Sequence, residues 1–222
     1  MHSHLIPGID DGSKEMEQTL ALLMRFQELG YRKVITTPHI MQDFYRNTPE
    51  IILEKLKEVK KEAKELALDI QIEAAAEYYY DETLIPKIKE KSLLTFGNQY
   101  VLFEYAFLQE PKNITSLLFE FNVNGYHPIL AHYERYPYYH NKIDKIEEYK
   151  TAGVSLQLNL LSLCGHYGPQ VEKMAKYLVD NRLIDFVGTD CHRMEHLEIL
   201  EKNKNNKYFS KIMDLPLLNN SL

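Results

Sequence analysis

The sequence predicts an α/β fold in which a parallel sheet closes into a barrel. Short apolar runs with strand character alternate with amphipathic helical patterns along all 222 residues. Alternation of this kind is typical of parallel sheets, and about seven or eight strand-helix units tend to close into a barrel. The length matches one domain of this size, so we expect residues 1–222 to form a single domain.

Seven strand segments define the predicted units. The six longer segments are the apolar runs at 33–37, 70–75, 100–104, 127–131, 154–159 and 184–189. The first segment, at 4–6, is only a stub because a single residue precedes His2. We therefore expect His2 and His4 to be weakly anchored.

Helix signals separate these strands, and the first two helices have recognisable ends. The first helix has Ser13 as its N-cap candidate and Gly30 as its stop. The second has Thr48 as its N-cap and Pro49 at the first helical position. Its apolar stripe consists of Ile52, Leu56, Val59, Ala63 and Leu66. A polar run at 202–207 predicts a loop before a short C-terminal segment around 215–218.

Composition and charge argue against several classes of protein. Hydrophobic residues make up 45% of the chain and charged residues 26%, as in ordinary soluble globular proteins. The net charge of −6 opposes a broad nucleic-acid interface, which needs a basic face. The two cysteines, Cys164 and Cys191, cannot build a disulfide framework and favour a reducing compartment. Without a signal peptide or an apolar stretch of about 18 residues, we expect a cytoplasmic protein with no membrane span.

Residues that commonly bind metal ions recur at the ends of the predicted strands. Barrel enzymes hold their functional groups at the carboxyl ends of the strands and in the loops that follow. Residues i and i+2 of an extended segment face the same side, so His2 and His4 can point inward together. The same spacing separates Asp190 and His192. Six of the seven strand ends contribute to the nine candidate ligands, which are His2, His4, Asp11, His39, Glu77, Glu104, His132, Asp190 and His192.

These donor groups indicate a particular chemistry. Nine donors are too many for one ion and suit a cluster of two or three. Nitrogen and oxygen ligands without thiolate suit manganese, iron or zinc, and the sequence alone does not choose among them. Clustered ions lower the pKa of a bound water, generate a hydroxide nucleophile and neutralise the charge on a transferred phosphoryl group. The predicted reaction class is metal-assisted phosphoester hydrolysis.

Taken one at a time, these residues also have structural interpretations. Asp11 could cap the first helix, with Asp10 as the alternative ligand, although we favour Asp11. His39 and His132 could be ordinary buried histidines, and Glu104 could belong to a buried ion pair. Independent structural requirements would not place so many ligand types at equivalent strand ends, so we favour the metal cluster. The other histidines, interpreted as structural or surface residues, are His127, His140, His166 and His196.

Arg135 follows His132 by three residues and is the candidate phosphate clamp. Its guanidinium is a planar, permanently charged fork that matches phosphate oxygens, although a single arginine is often only surface charge. We assign catalytic roles to Arg135, Glu104 and His192, the last two being candidate ligands as well. Two tyrosine groups, at 78–80 and at 136, 138 and 139, either wall a pocket for a flat substrate or reflect the 16 tyrosines of the chain.

The signatures of rival mechanisms are missing from the sequence. A cysteine phosphatase needs an arginine six residues after its thiolate, but Cys164 is followed there by Gln170 and Cys191 by Leu197. The sequence has no G-x-S-x-G elbow, no G-x-x-x-x-G-K-[ST] loop and no G-x-G-x-x-G. Serine hydrolase, P-loop and dinucleotide-binding functions therefore lack support.

Several motifs in one order resemble a known superfamily. The strings are H-S-H-L-I-P-G-I-D-D-G at 2–12, T-T-P-H at 36–39 and G-T-D-C-H at 188–192, with further matches at 76–79, 102–104, 130–132 and 134–136. Together they resemble the polymerase and histidinol phosphatase (PHP) superfamily. Within it, the chain is most similar to the metal-dependent bacterial protein-tyrosine phosphatases encoded with capsule and exopolysaccharide genes.

The resemblance implies a distorted (β/α)7 TIM-like barrel of the PHP type that holds three divalent metal ions, with manganese preferred and iron or zinc as alternatives. The ligand sets it implies are His2, His4, Glu77 and Asp190 for one ion, a bridging Glu77 with Glu104 and His132 for the second, and Asp11, His39 and His192 for the third. Arg135 matches the phosphate-binding arginine. The implied substrate is phosphotyrosine on a bacterial tyrosine kinase that controls polysaccharide export, with the kinase tail as the partner.

Three functions follow from these observations. The first is a protein-tyrosine phosphatase, which the short chain and the D-D-G-S and H-x-E-R signatures favour. The second is a small-molecule phosphatase such as a histidinol-phosphatase, because the same metal centre would serve either ester. The third is a catalytically silent binding module in a polysaccharide export complex. A silent relative would be free to lose ligands, so the presence of all nine opposes the third.

Overall fold

Two parallel sheets form the centre of the computed structural model, which describes residues 1–140 and 142–222. The larger sheet has six strands in the order β2-β4-β5-β6-β7-β8, and the smaller sheet pairs β1 with β3. The strands are β1 (Lys33–Thr36), β2 (His39–Ile40), β3 (Gln71–Ala74), β4 (Glu77–Tyr79), β5 (Tyr100–Glu104), β6 (His127–Leu130), β7 (Ser155–Asn159) and β8 (Phe186–Gly188). Each of the six longer predicted segments overlaps at least one of these strands, which confirms the parallel α/β prediction.

Eight helices lie before, between and after the strands within the described ranges. They are α1 (Met16–Glu28), α2 (Pro49–Glu65), α3 (Leu84–Lys89), α4 (Ile114–Val123), α5 (Asp144–Thr151), α6 (Pro169–Asp180), α7 (Met194–Lys202) and α8 (Lys207–Met213). Short 3₁₀ helices lie at Tyr133–Arg135, Pro137–Tyr139, Leu160–Cys164 and Leu218–Ser221. No helix in this part of the chain is long and apolar enough to cross a membrane.

Two of the predicted strands are divided in the structure. The segment at 33–37 continues past Pro38 into a second strand, and the segment at 70–75 continues into β4. Proline has no backbone N–H and cannot donate to a neighbouring strand. Strand β1 pairs with β3 in the smaller sheet. Strands β2 and β4 pair in the larger sheet, where His39 lies opposite Glu77. The division therefore carries two candidate ligands onto the larger sheet in adjacent register.

The N-terminal segment is better anchored than the sequence indicates. Residues 4–6 form no strand, and Ser3 instead makes a single parallel bridge with Cys191. The amide of Thr37 donates to the Ser3 carbonyl at 2.7 Å, and the amide of Asp190 donates to the His2 carbonyl at 2.9 Å. The segment is thus hydrogen-bonded on both sides, and the expectation of weak anchoring was wrong.

The helix ends follow the sequence signals in part. Helix α2 begins after Thr48, whose side chain accepts a hydrogen bond from the Ile51 amide, and four of its five predicted stripe residues are buried. The fifth, Leu66, is exposed beyond the helix end. Helix α1 begins after Glu15 and not after Ser13. Ser13 is buried before the helix, where its amide donates to the His4 carbonyl, so it holds the first loop instead of capping.

A buried apolar cluster lies against one side of the larger sheet. It includes Leu102 on β5, Ile129 on β6 and Phe186 on β8, all fully buried. Alternate residues of a strand face the same side, so Glu104 faces the same side of the sheet as Leu102. The inward side of the sheet therefore changes from apolar to acidic at its carboxyl end, where the candidate ligands lie.

Candidate metal centre

All nine predicted ligands converge at the carboxyl ends of the parallel strands. Three groups each have one donor atom per residue within 4.8 Å of all the others. His132 joins them because its Nε2 lies 3.2 Å from Glu77 Oε1 and 3.7 Å from Glu104 Oε2. The groups are His2, His4, Glu77 and Asp190; His4, Asp11, His39 and His192; and His39, Glu77 and Glu104.

Strand register and strained backbone place these side chains. Glu77 opens β4 beside His39 of β2, and Glu104 closes β5 beside Tyr79. His2, His132 and Asp190 have positive φ angles of 68°, 35° and 47°, a left-handed conformation that non-glycine residues seldom adopt. Each such residue costs of order 1–3 kcal/mol, and strain of this kind concentrates at functional sites. Neighbouring contacts must therefore hold these residues in place.

The Nε2 atoms of His2 and His4 face two buried carboxylates. They lie 3.2 and 3.3 Å from Glu77 Oε2, and 3.2 and 3.4 Å from Asp190 Oδ1. All four side chains are almost completely buried. Two imidazole nitrogens and two carboxylate oxygens form a donor set that suits a divalent ion.

Asp10 orients one of these imidazoles. Its Oδ2 accepts hydrogen bonds from His4 Nδ1 at 2.8 Å and from the His39 amide at 3.1 Å, and its Oδ1 accepts from the Gly12 amide at 2.9 Å. A carboxylate on one ring nitrogen fixes the tautomer and leaves the other nitrogen free to bind a metal. Asp11, not Asp10, belongs to a donor group, with its Oδ1 3.4 Å from His192 Nε2.

Gln157 on β7 is a site residue that the sequence analysis missed. Its Oε1 lies 3.1 Å from His2 Nδ1 and accepts a hydrogen bond from the His132 amide at 3.0 Å. Gly188 makes room for it, since a Cβ there would lie 1.8 Å from Gln157 Nε2 and 2.9 Å from the Cβ of His2. The one available signal is a polar residue between two leucines, Leu156 and Leu158, at the centre of a buried strand.

Opposite charges compensate one another within the cluster. Burial opposes the protonated form of His2, but Glu77 and Asp190 outweigh it and raise the pKa of His2 to about 10. Burial also opposes the charged form of Glu77, yet His2 and His39 keep the pKa of Glu77 well below its usual value. The pKa of Asp190 is likewise well below its usual value, because His2 and His4 outweigh the effect of burial.

Two buried imidazole nitrogens of the predicted ligands lack hydrogen-bond partners within the described ranges, as does Nε2 of His196 outside the donor groups. The two ligand nitrogens are the Nδ1 atoms of His39 and His132. The His39 atom lies 3.1 Å from Glu104 Oε1 and 3.3 Å from Glu77 Oε2, without hydrogen-bonding geometry. An unpaired buried polar atom costs about 1–3 kcal/mol, which a bound cation near the His39 nitrogen would offset. The donor set and the His39 nitrogen thus fit metal ions.

A cavity of about 420 Å³ opens onto the cluster. Arg135 lines it and donates through Nη1 to Asp190 Oδ2 at 2.8 Å. Of the six tyrosines proposed as a pocket wall, Tyr79 is the one that lines this cavity, while Tyr78, Tyr136 and Tyr139 are buried in the core. The pocket-wall interpretation was therefore wrong for those three. The uncharged lining residues are Met41, Tyr45, Tyr79, Tyr105, Ala106, Phe107 and Leu108.

The four histidines left outside the predicted site remain outside the donor groups. His196 comes nearest, because its Nδ1 lies 3.3 Å from both the His192 amide and the Asp190 carbonyl. His140 contacts the Glu134 carbonyl through Nε2 at 2.7 Å. His196 thus supports the backbone that carries two candidate ligands, which agrees with its structural interpretation.

The fold and the site together define a parallel α/β protein, with imidazoles and carboxylates gathered at the carboxyl ends of its strands. Residues 1–214 match the family described as capsular polysaccharide synthesis, CpsB/CapC. The chain belongs to this family, which confirms the resemblance seen in the sequence.

The chain is similar to named proteins and to solved structures. The chain is 28% identical over 201 residues to the tyrosine-protein phosphatase CpsB of Streptococcus agalactiae serotype V, covering 88% of this chain and 83% of the relative. It is 29% identical to CpsB of Streptococcus pneumoniae with the same coverage. One of the structures of YwqE from Bacillus subtilis and CpsB from S. pneumoniae, described as unique metal-dependent tyrosine phosphatases, aligns with a TM-score of 0.82. That alignment has 24% identity and covers 93% of this chain and 87% of the other, which supports the fold.

Replacing Gln157 by leucine should lower the free energy of unfolding of the metal-free protein by about 1–3 kcal/mol, because the buried His132 amide loses its acceptor. Urea denaturation measures the change. Gln71→Leu, on the exposed side of β3, is the matched control and should stay within about 0.5 kcal/mol of the unchanged protein. Equal effects of the two substitutions would contradict the role given to Gln157.

Proposed function

We propose that this protein is a metal-dependent protein-tyrosine phosphatase. The observation that carries the proposal is the convergence of five imidazoles and four carboxylates beside an arginine at one cavity. Membership of the CpsB/CapC family and the printed names of the relatives support it. The related solved structure belongs to proteins described as metal-dependent tyrosine phosphatases.

We propose that three divalent ions bind here, with manganese preferred and iron or zinc as alternatives. His2, His4, Glu77 and Asp190 would hold the first, and Glu77 would bridge to a second that is bound by Glu104 and His132. Asp11, His39 and His192 would hold the third. The donor groups support this division, with two differences. His4 belongs to the group of Asp11, His39 and His192 as well as to that of the first ion. His39 approaches Glu77 and Glu104 through Nδ1 as well as Asp11 through Nε2.

The same proposal includes a distorted (β/α)7 barrel of the PHP type formed by residues 1–222 as one domain. The N-terminal stub, the two divided strands counted once each and the four remaining strands of the larger sheet give seven units, which supports it. The strand ends would then surround the cavity, as in other barrel enzymes.

The residues of the cavity have distinct tasks in phosphoester hydrolysis. Bound divalent ions would supply positive charge and lower the pKa of the attacking water. Arg135 offers a planar set of N–H donors to the phosphate oxygens. One of its nitrogens, Nη1, donates to Asp190 and so fixes the position of the guanidinium. His192 Nδ1 contacts the Asp190 carbonyl at 2.8 Å, which turns its Nε2 toward Asp11. Glu104 faces the cavity from the end of β5.

The lining of the cavity suits an aromatic phosphate carried by a protein. The walls contributed by Tyr45, Tyr79 and Phe107 can contact a phenol ring. Leu108, at the mouth, is 99% exposed and is available to contact the polypeptide on either side of that ring. The proposed partner is the phosphotyrosine-bearing tail of a bacterial tyrosine kinase in the cytoplasm, with no nucleic acid involved. The family description, capsular polysaccharide synthesis, supports this partner.

Metal-depleted protein restored with Mn²⁺ should hydrolyse phosphotyrosine peptides, with a higher kcat/KM than for histidinol phosphate. Arg135→Ala should lower kcat/KM about 10- to 100-fold, because a charge-assisted hydrogen bond contributes about 1.5–3 kcal/mol. Arg32→Ala, which removes an exposed arginine, is the control. Preference for histidinol phosphate would indicate a small-molecule phosphatase. Metal binding without hydrolysis of any phosphoester would indicate a silent binding module, and either result rejects the proposal.

Asp10→Asn should weaken Mn²⁺ binding about 10- to 100-fold, because an amide in place of the carboxylate no longer fixes the tautomer of His4. Titration calorimetry on metal-free protein measures the affinity. Asp69→Asn, at a position 90% exposed, is the matched control and should bind as the unchanged protein does. An Asp10 variant with unchanged affinity would show that His4 is not an oriented ligand.

A further inference from the structure

The guanidinium of Arg135 lies over two aromatic rings from separate parts of the chain. Its Cζ is 4.6 Å from the centroid of Phe107, in the loop after β5, and 4.2 Å from the centroid of Tyr167, just before α6. Cations over ring faces at these distances are attracted by the ring quadrupole. The side chain is 22% exposed, so water weakens this attraction only in part.

Tyr167 is itself held in place by the site. Its hydroxyl accepts a hydrogen bond from Asn159 Nδ2 at 3.1 Å, and the same amide donates to Asp190 Oδ2 at 3.0 Å. That carboxylate oxygen also accepts the 2.8 Å hydrogen bond from Arg135. Gly168 follows Tyr167 directly, with a φ of +92° that is readily available only to glycine. Ring, amide, carboxylate and guanidinium thus form one connected unit.

This arrangement determines which part of the guanidinium is available to an anion. A guanidinium has five N–H donors in its plane and none on its faces. Within the described ranges, Arg135 makes one side-chain hydrogen bond, to Asp190. Cζ lies over both aromatic rings, and Arg135 lines the cavity, so its remaining donors are available to a ligand there. An arginine fixed in advance loses less rotamer freedom when it binds.

We propose that Tyr167 is a positioning residue that holds Arg135 in the orientation required to bind the phosphoryl group. Tyr167 does not line the cavity, whereas Phe107 does, so Tyr167 acts through Arg135. The aromatic ring of Tyr167 makes the contact that orients Arg135. Its hydroxyl only holds the ring in place through the hydrogen bond from Asn159. The inference rests on the proposed function, because it gives Arg135 a phosphate ligand.

Titration calorimetry of the Mn²⁺-loaded protein with inorganic phosphate tests this role without turnover. Tyr167→Leu should raise the Kd for phosphate about 3- to 30-fold, the range to which a cation–π contribution of about 0.6–2 kcal/mol corresponds. Tyr167→Phe keeps the ring and should stay within about twofold. Tyr208→Leu is the matched control, because it removes a tyrosine of α8 that also contacts cationic side chains but does not line the cavity. Its Kd should not change.

A double-mutant cycle separates positioning from general damage. In an Arg135→Ala background, Tyr167→Leu should cause no further increase in the phosphate Kd, because its effect passes through the guanidinium. An equal increase with and without Arg135, or equal losses in the leucine and phenylalanine variants, would overturn the inference. If Tyr167→Leu does not fold, Tyr167→Met, which also removes the ring, should show the same dependence on Arg135. If the unchanged protein binds no phosphate and hydrolyses no ester, the proposed function fails instead.

Discussion

Compensation of buried charge is the constraint on which this structure depends. Glu77, Glu104 and Asp190 are each at most 5% exposed and lie among imidazoles at the same strand ends. An isolated buried carboxylate is strongly unfavourable unless it is paired with a cation or neutralised. In the metal-free chain, protonated histidines provide that compensation, as the raised pKa of His2 indicates. Metal ions would use the same lone pairs in place of protons.

The rest of the fold keeps these charges together. The division of the first two long strands near Pro38 and Ala75 transfers their ends onto the larger sheet, where His39 and Glu77 face each other in register. Gln157 and Asp10 each contact the backbone of one candidate ligand and the imidazole of another. Hydrogen bonds on both sides of the first three residues secure His2. The backbone strain at His2, His132 and Asp190 is therefore opposed by contacts from several elements.

The convergence of the nine candidate ligands could be predicted from the sequence because each lies close to a predicted strand end. A ligand at a strand end lies within a few residues of an apolar run, and both features appear along the chain. The residues that orient the ligands could not be found in this way. Gln157 contacts His2 from 155 residues away, and the ring of Tyr167 contacts Arg135 from a separate part of the chain. The direction of the tyrosine side chains could not be predicted either. Tyr136 and Tyr139 follow the candidate ligand His132 in sequence but pack into the core.

Titration of Mn²⁺ into chelator-treated protein, with metal uptake and released protons measured together, would show whether metal ions replace protons at the buried carboxylates. We expect saturable binding of about three ions per chain, with net release of protons at pH 7. His2 has its pKa raised to about 10, so it is protonated there and must lose its proton to bind a metal. Apparent affinity should therefore increase as the pH rises above 7. Binding that does not saturate, or that releases no protons, would contradict this replacement of protons by metal ions.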